Sequence, residues 1–108
     1  MRTVILLNHD GLGHGDAALG RRLLVTFLRK SVAFRSLGAI VLMNAGVKLV
    51  AADSPVLAEL RALHEHGVEL LPCGTCLEAF GVQPVVGPVS NMDEIIRVLD
   101  GAEKVITL

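Results

Sequence analysis

Short apolar runs with little polar interruption recur along the chain, and helical patterns separate them. The runs are Thr3–Leu7, Ala39–Met43, Val68–Leu71 and Lys104–Leu108. A strand with one wet face alternates apolar and polar residues, whereas a strand covered on both faces reads as a continuous run. This chain therefore calls for a parallel sheet with helices on both sides, a three-layer α/β sandwich with right-handed crossovers. The stretch Pro84-Val85-Val86-Gly87-Pro88 adds a short strand or extended loop limited by its prolines, which brings the expected sheet to about five strands.

The intervening segments carry helix signals. Asp16 is placed to cap a long helix reaching about Leu37, with Leu19, Leu23, Leu24, Phe27, Leu28, Val32 and Leu37 as its apolar stripe and Gly38 as its stop. Ser54 as N-cap and Pro55 in the first turn open a second helix, with Val56, Leu57, Leu60 and Leu63 facing inward and Gly67 at its end. Cys76–Phe80 reads as one or two helical turns, and Ser90 or Asn91 caps a helix over Met92–Leu99.

The 108 residues fit one domain, 1–108, around one core. A hydrophobic fraction of 52% argues for a buried sheet rather than disorder. A net charge of -1 exerts no general pull on nucleic acid, and a chain with no Trp, no Tyr and three Phe lacks a base-stacking platform. No uncharged run approaches the roughly 20 residues of a membrane span. Val4–Leu7 is followed at once by Asn8, His9 and Asp10 and does not read as a signal peptide. The expected location is the cytoplasm, where cysteines read as reactive or metal-binding rather than as a disulfide scaffold.

A parallel doubly wound sheet delivers the C-terminal ends of its strands to one edge, where ligands bind. Three segments converge there: Asn8–Gly15, Asn44-Ala45-Gly46 and Cys73-Gly74-Thr75-Cys76. Cys73 and Cys76 are the chain's two cysteines. Cys73 should sit at a strand end and Cys76 in the first helical turn, where free N–H groups and the helix dipole favour a thiolate. The plain alternative is a pair of small buried apolar side chains.

The loop Gly11-Leu12-Gly13-His14-Gly15-Asp16 has the look of a nucleotide loop. Asp16 stands where a dinucleotide fingerprint requires its third glycine, and no Gly-Lys-Ser/Thr is present. An anion site and a tight turn with positive φ both remain open for it, and His9 and His14 are candidate donors to a thiolate. Zinc is not expected, because a second ligand pair is missing and His64 and His66, two apart near a helix end, point in different directions. No resident cofactor is expected. The basic tint of Arg21, Arg22, Arg29, Lys30 and Arg35 reads as a solvated face.

Four stretches carry a resemblance that spans the chain: Leu12-Gly13-His14-Gly15-Asp16 with Leu19-Gly20, Met43–Leu49, Gly67–Leu77 and Val89-Ser90-Asn91-Met92. On these residues the chain resembles the DsrE-like (DsrE/DsrF-like) family, most closely the C-terminal domain of YedF-type proteins linked to sulfur and selenium metabolism. The resemblance implies a flavodoxin-like α/β fold and a sulfur-relay role, with a persulfide on Cys73 and Cys76 as the YedF-type second thiol. It also implies a homo-oligomer. YedF-type proteins begin with a sulfur-carrier domain of the TusA type, and this chain starts directly at the DsrE-like strand. The expected partner is therefore a separate TusA-type carrier. The candidate site comprises Cys73 and Cys76 as reacting groups, with Gly13, His14, Gly15, Asn44, Gly46, Gly74 and Thr75 around them. Two further readings stand beside a sulfurtransferase-like protein. One is a dithiol–disulfide redox protein, although Cys73 lacks the preceding Trp of thioredoxins and neither Pro84 nor Pro88 has their cis-Pro context. The other is a non-catalytic module that binds an anion or a partner.

Overall fold

A computed structural model describes residues 2–108. The elements run β1 (Thr3–Leu7), α1 (Ala17–Lys30), β2 (Leu37–Leu42), α2 (Leu57–Glu65), β3 (Glu69–Pro72), α3 (Gly74–Phe80), α4 (Met92–Asp100) and β4 (Lys104–Thr107). Short 3-10 segments occupy Ser31–Ala33 and Asn44–Val50.

All paired strands are parallel, in the order β3-β2-β1-β4. The chain moves outward from β1 through β2 to β3 and then returns to the far side of β1. Right-handed crossovers therefore put α1 and α2 on one face and α4 on the other. The central strands are covered on both sides, as their unbroken apolar runs require: Val4, Ile5, Ala39, Ile40, Val41 and Leu42 are all fully buried. Leu24 and Leu28 of α1, Leu60 of α2 and Ile95 of α4 close over them. Each such side chain contributes about 1.5–3 kcal/mol by leaving water.

The expected parallel α/β sandwich is the observed fold, with four strands rather than about five. The segment 84–88 is not a strand. Its place beside β3 is taken by a single bridge between Ser90 and Cys73, because prolines on both sides of Gly87 cannot sustain a ladder. The long first helix also ends early, at Lys30. Ser31 turns its hydroxyl back to the Phe27 carbonyl, and Leu37 is drawn into the sheet opposite Thr3. Gly38 lies inside β2 rather than at a helix end. The buried stripe of α1 is Gly20, Leu24 and Leu28, so Leu19, Leu23 and Val32 stay largely exposed. Pro55 precedes α2, which starts at Leu57. The Ser54 hydroxyl accepts from the Val56 N–H in the turn before the helix. Asn91, the second of the two expected caps, caps α4 by accepting from the Glu94 N–H at 2.9 Å.

Candidate functional site

Cys73 follows the last residue of β3 and serves as the N-cap of α3, with extended backbone angles. Its N–H donates to the Leu42 carbonyl at the end of β2 at 2.9 Å, and its carbonyl accepts from Leu77 at 2.9 Å. Its side chain is buried among core residues. Cys76, one turn further on, is half-buried.

The segment after β2 reaches the same point. Asn44 adopts a left-handed conformation, φ +51°, and its backbone N–H donates to Cys76 Sγ at 3.1 Å. The contact runs through the main chain, and the residue is otherwise exposed. Gly46 brings this segment onto β1: a Cβ there would collide with the Leu7 carbonyl oxygen. The Leu7 carbonyl also accepts from Met43 at 2.9 Å. The ends of β1, β2 and β3 are thus tied together by backbone contacts around the two thiols.

Burial pushes the Cys76 thiol up from its ordinary value. The Asn44 N–H pulls against this, while a hydrogen bond with Cys73 and the charge that Cys73 can carry push it up further. Cys76 accordingly gives up its proton less readily than an isolated cysteine, and it lies close to the neighbouring thiol. Both cysteines are free thiols.

The glycine-rich loop is arranged differently. The Leu12 N–H donates to the Gly20 carbonyl at 3.0 Å, which folds the loop back along α1. Gly13 has a φ of +82°, as a tight turn asks, and Gly13, His14 and Gly15 are exposed. His14 stacks loosely on His9, ring centroids 5.0 Å apart, and His9 Nδ1 lies 3.5 Å from Asp10 Oδ1. No hydrogen bond or ion pair joins Gly13, His14 or Gly15 to either cysteine among the described residues. Of the candidate set, the structure gathers Cys73, Cys76, Asn44, Gly46 and Gly74. Thr75 is exposed in the first turn of α3.

Three residues at the site have no warning in local sequence spacing. Leu42 and Ser90 hold the backbone around Cys73, and Lys48 places its ammonium 4.9 Å from the Phe80 ring centroid at the end of α3. Each acts across a long stretch of chain; for Ser90, its place in the stretch Val89–Met92 was the available signal. His64 and His66 diverge as expected, with Nδ1 atoms on the Val68 and Ala62 carbonyls. Among the described residues, no group of three or more His, Cys, Asp or Glu side chains is placed to hold a metal ion. No helix among them is long and apolar enough to cross a membrane.

The chain is similar in structure to the YchN protein from E. coli, with a TM-score of 0.70 and 16% identity over 100% of both chains. It is also similar to MTH1491 from Methanobacterium thermoautotrophicum, a protein of unknown function, at 0.69 and 22% identity over 99% of this chain and 98% of that one. A third similar structure is BT1422 from Bacteroides thetaiotaomicron, at 0.66 and 22% identity over 98% and 94%. A sequence comparison with curated proteins finds no significant match. The DsrE/DsrF-like family profile matches residues 1–108. With its fold shared by these neighbours and its whole length matched by the profile, the chain belongs to the DsrE/DsrF-like family.

Proposed function

We propose that the protein relays sulfur through a persulfide on Cys73. The family is associated with sulfur relay in general. The observation that carries the finer reading is the closeness of two free thiols at the C-terminal end of β3, the edge at which ligands bind in parallel α/β sheets.

In the proposed cycle a persulfide donor, R–S–SH, meets the Cys73 thiolate. The thiolate takes the outer sulfur, the donor's S–S bond breaks, and R–S⁻ leaves. Transfer to an acceptor thiol repeats the exchange in the other direction. Cys76 provides a second exit. Its thiolate attacks the inner sulfur on Cys73, forming the Cys73–Cys76 disulfide and releasing hydrosulfide. The outer sulfur takes up the two electrons that the two cysteines lose, and a dithiol reductant then reopens the disulfide. The raised pKa of Cys76 keeps this exit slow at neutral pH, which suits a carrier that must hold its cargo. The proposed partner is a separate carrier protein of the TusA type. Exposed apolar residues, among them Leu19, Leu23, Val89, Met92 and Ile96, support assembly into a homo-oligomer.

The same closeness of the two thiols favours a second reading, a dithiol–disulfide redox protein. A time course of protein mass after one pulse of polysulfide separates the two. Sulfur relay predicts a gain of one sulfur by the wild type, none by Cys73→Ser, and longer retention by Cys76→Ser. Loss of two hydrogens with no sulfur gained at any time supports the redox reading. Normal loading of Cys73→Ser assigns the carrier to the wrong cysteine.

A further inference from the structure

Ser90 is one of two buried polar residues among those described, 3% exposed, in a segment that has no ladder of its own. Its backbone grips the chain on both sides of Cys73. The Ser90 N–H donates to the Pro72 carbonyl and the Ser90 carbonyl accepts from the Gly74 N–H, each at 2.9 Å. Gly74 makes the second contact possible, because a Cβ there would stand 2.9 Å from the Ser90 carbonyl oxygen. On the opposite side Cys73 is held by Leu42 of β2. Cys73 therefore sits between a true strand and a one-residue substitute for a strand.

That substitute is secured by a side chain. The Ser90 hydroxyl donates to Glu94 Oε1 in the first turn of α4, a charge-assisted bond that satisfies a buried donor. Glu94 is itself fixed, since its N–H donates to the Asn91 cap. Before Ser90 the chain passes through Pro84 and Pro88, where the Val85 N–H donates to the Val50 carbonyl.

We propose that Ser90 and Glu94 form a latch that governs access to Cys73: while the hydroxyl rests on the carboxylate the thiol stays shielded, and release of the latch opens the strand end. Both are positioning residues that act through the backbone around Cys73. The latch rests on the sulfur-relay reading only for its purpose, which is to protect bound sulfur from stray thiols. Reaction of a buried thiol with reagent follows the population of the opened form, so a lost charge-assisted bond appears directly as a faster rate.

The test is carried out in the Cys76→Ser background, so that Cys73 is the reacting thiol. Iodoacetamide alkylation is followed alongside thermal melting for Ser90→Ala, Glu94→Ala, Glu94→Gln and Leu99→Ala. Ser90→Ala and Glu94→Ala should raise the alkylation rate about tenfold, the scale of one such hydrogen bond. Glu94→Gln keeps an acceptor and should restore most of the protection. Leu99→Ala weakens the same helix at its far end, where Leu99 packs against the core, but leaves Ser90, Asn91 and Glu94 in place, and should stay near the parent rate. An unchanged rate in Ser90→Ala and Glu94→Ala overturns the proposal. So does a Leu99→Ala rate as high as theirs, which would make the effect one of helix stability alone. Amide hydrogen exchange at Gly74 gives a second reading where a variant folds poorly: faster exchange than in a Leu99→Ala protein of equal melting temperature supports the latch, and equal exchange overturns it. Alkylation needs no sulfur donor. A protein that never loads polysulfide sulfur yet shows these rates retains the latch and loses the relay.

Discussion

Two loops leave the same edge of the sheet, and they are built on opposite plans. The turn after β3 is short, and its residues are held by Leu42 on one side and Ser90 on the other. The loop after β1 is longer, rich in glycine, and folds back on α1 with Gly13, His14 and Gly15 in solvent. Both follow strands, both precede helices, and both carry residues suited to chemistry. The difference lies in what the neighbouring strands do. β2 lends its terminal carbonyl to Cys73 and the segment after it lends the Asn44 N–H to Cys76, whereas the Leu12 N–H of the other loop bonds to its own helix at Gly20. A position at the active edge is thus not enough to make a residue part of the site; it must also be held by a second element.

The comparison is broken most severely at Gly46. Gly46→Val drives a side chain into the Leu7 carbonyl and should destabilise the fold by about 3 kcal/mol, the upper range for overpacking. Urea denaturation reads this directly, and a loss below 1 kcal/mol would mean that the 44–50 segment can slide off β1 at little cost.

The coupling of the two thiols offers the next test. Cys73 raises the pKa of Cys76 through both a hydrogen bond and its charge, so Cys73→Ala should move the Cys76 titration downward, with burial still holding it up and the Asn44 N–H pulling it down. The Cys76 thiolate fraction at a given neutral pH then rises, and its alkylation with it. A pH–rate profile of Cys76 alkylation checks the direction; an unmoved midpoint would separate the two cysteines electrostatically.

Asn44 comes third. Because its contact uses the main chain and its φ is positive, Asn44→Gly should keep the hydrogen bond to Cys76 and stay within about 0.5 kcal/mol of wild type, the relief of strain offset by the greater freedom of glycine in the unfolded chain. Asn44→Val should cost about 1–2 kcal/mol, as a branched side chain resists this conformation. Matching melting curves for the two variants would assign the role to the side-chain amide.

The smallest effects belong to the other loop. His14→Ala and Gly15→Ala should change stability by less than about 0.5 kcal/mol and leave Cys73 alkylation within about twofold of wild type, since both positions are exposed. A tenfold change for either would bring the loop into the site by a route other than the backbone bonds described above.

Much of this architecture is legible in the chain because burial on both strand faces leaves an unmistakable mark. The runs at Thr3–Leu7 and Ala39–Met43 lie within one or two residues of β1 and β2, and Cys73 stands at the strand end where its apolar lead-in put it. What escaped was decided by contacts between distant residues. The helix pattern through Val32 and Leu37 reads well locally, but pairing of Leu37 with Thr3 takes that stretch away from the helix. Leu19 and Leu23 continue the helical spacing yet lie outside the buried ridge of Gly20, Leu24 and Leu28, a choice set by where the loop packs. Ser90 stands out as a candidate helix cap and as part of the stretch Val89–Met92, but nothing in its neighbourhood shows that Cys73 will need a partner on its open side. Asn44 stands in the candidate set by its place after β2, but the conformation that turns its N–H toward Cys76 is invisible in residue type.

The Asn44 N–H has one further consequence. Its acceptor is the sulfur of Cys76, the half-buried thiol of the pair. Closing a disulfide, alkylating Cys76 or ionising it changes the electron density at that acceptor without any need for the fold to move. The amide of Asn44 is therefore a built-in gauge: in a nitrogen–proton correlation spectrum, its single peak registers the chemical state of the sulfur pair from inside an otherwise unlabelled site.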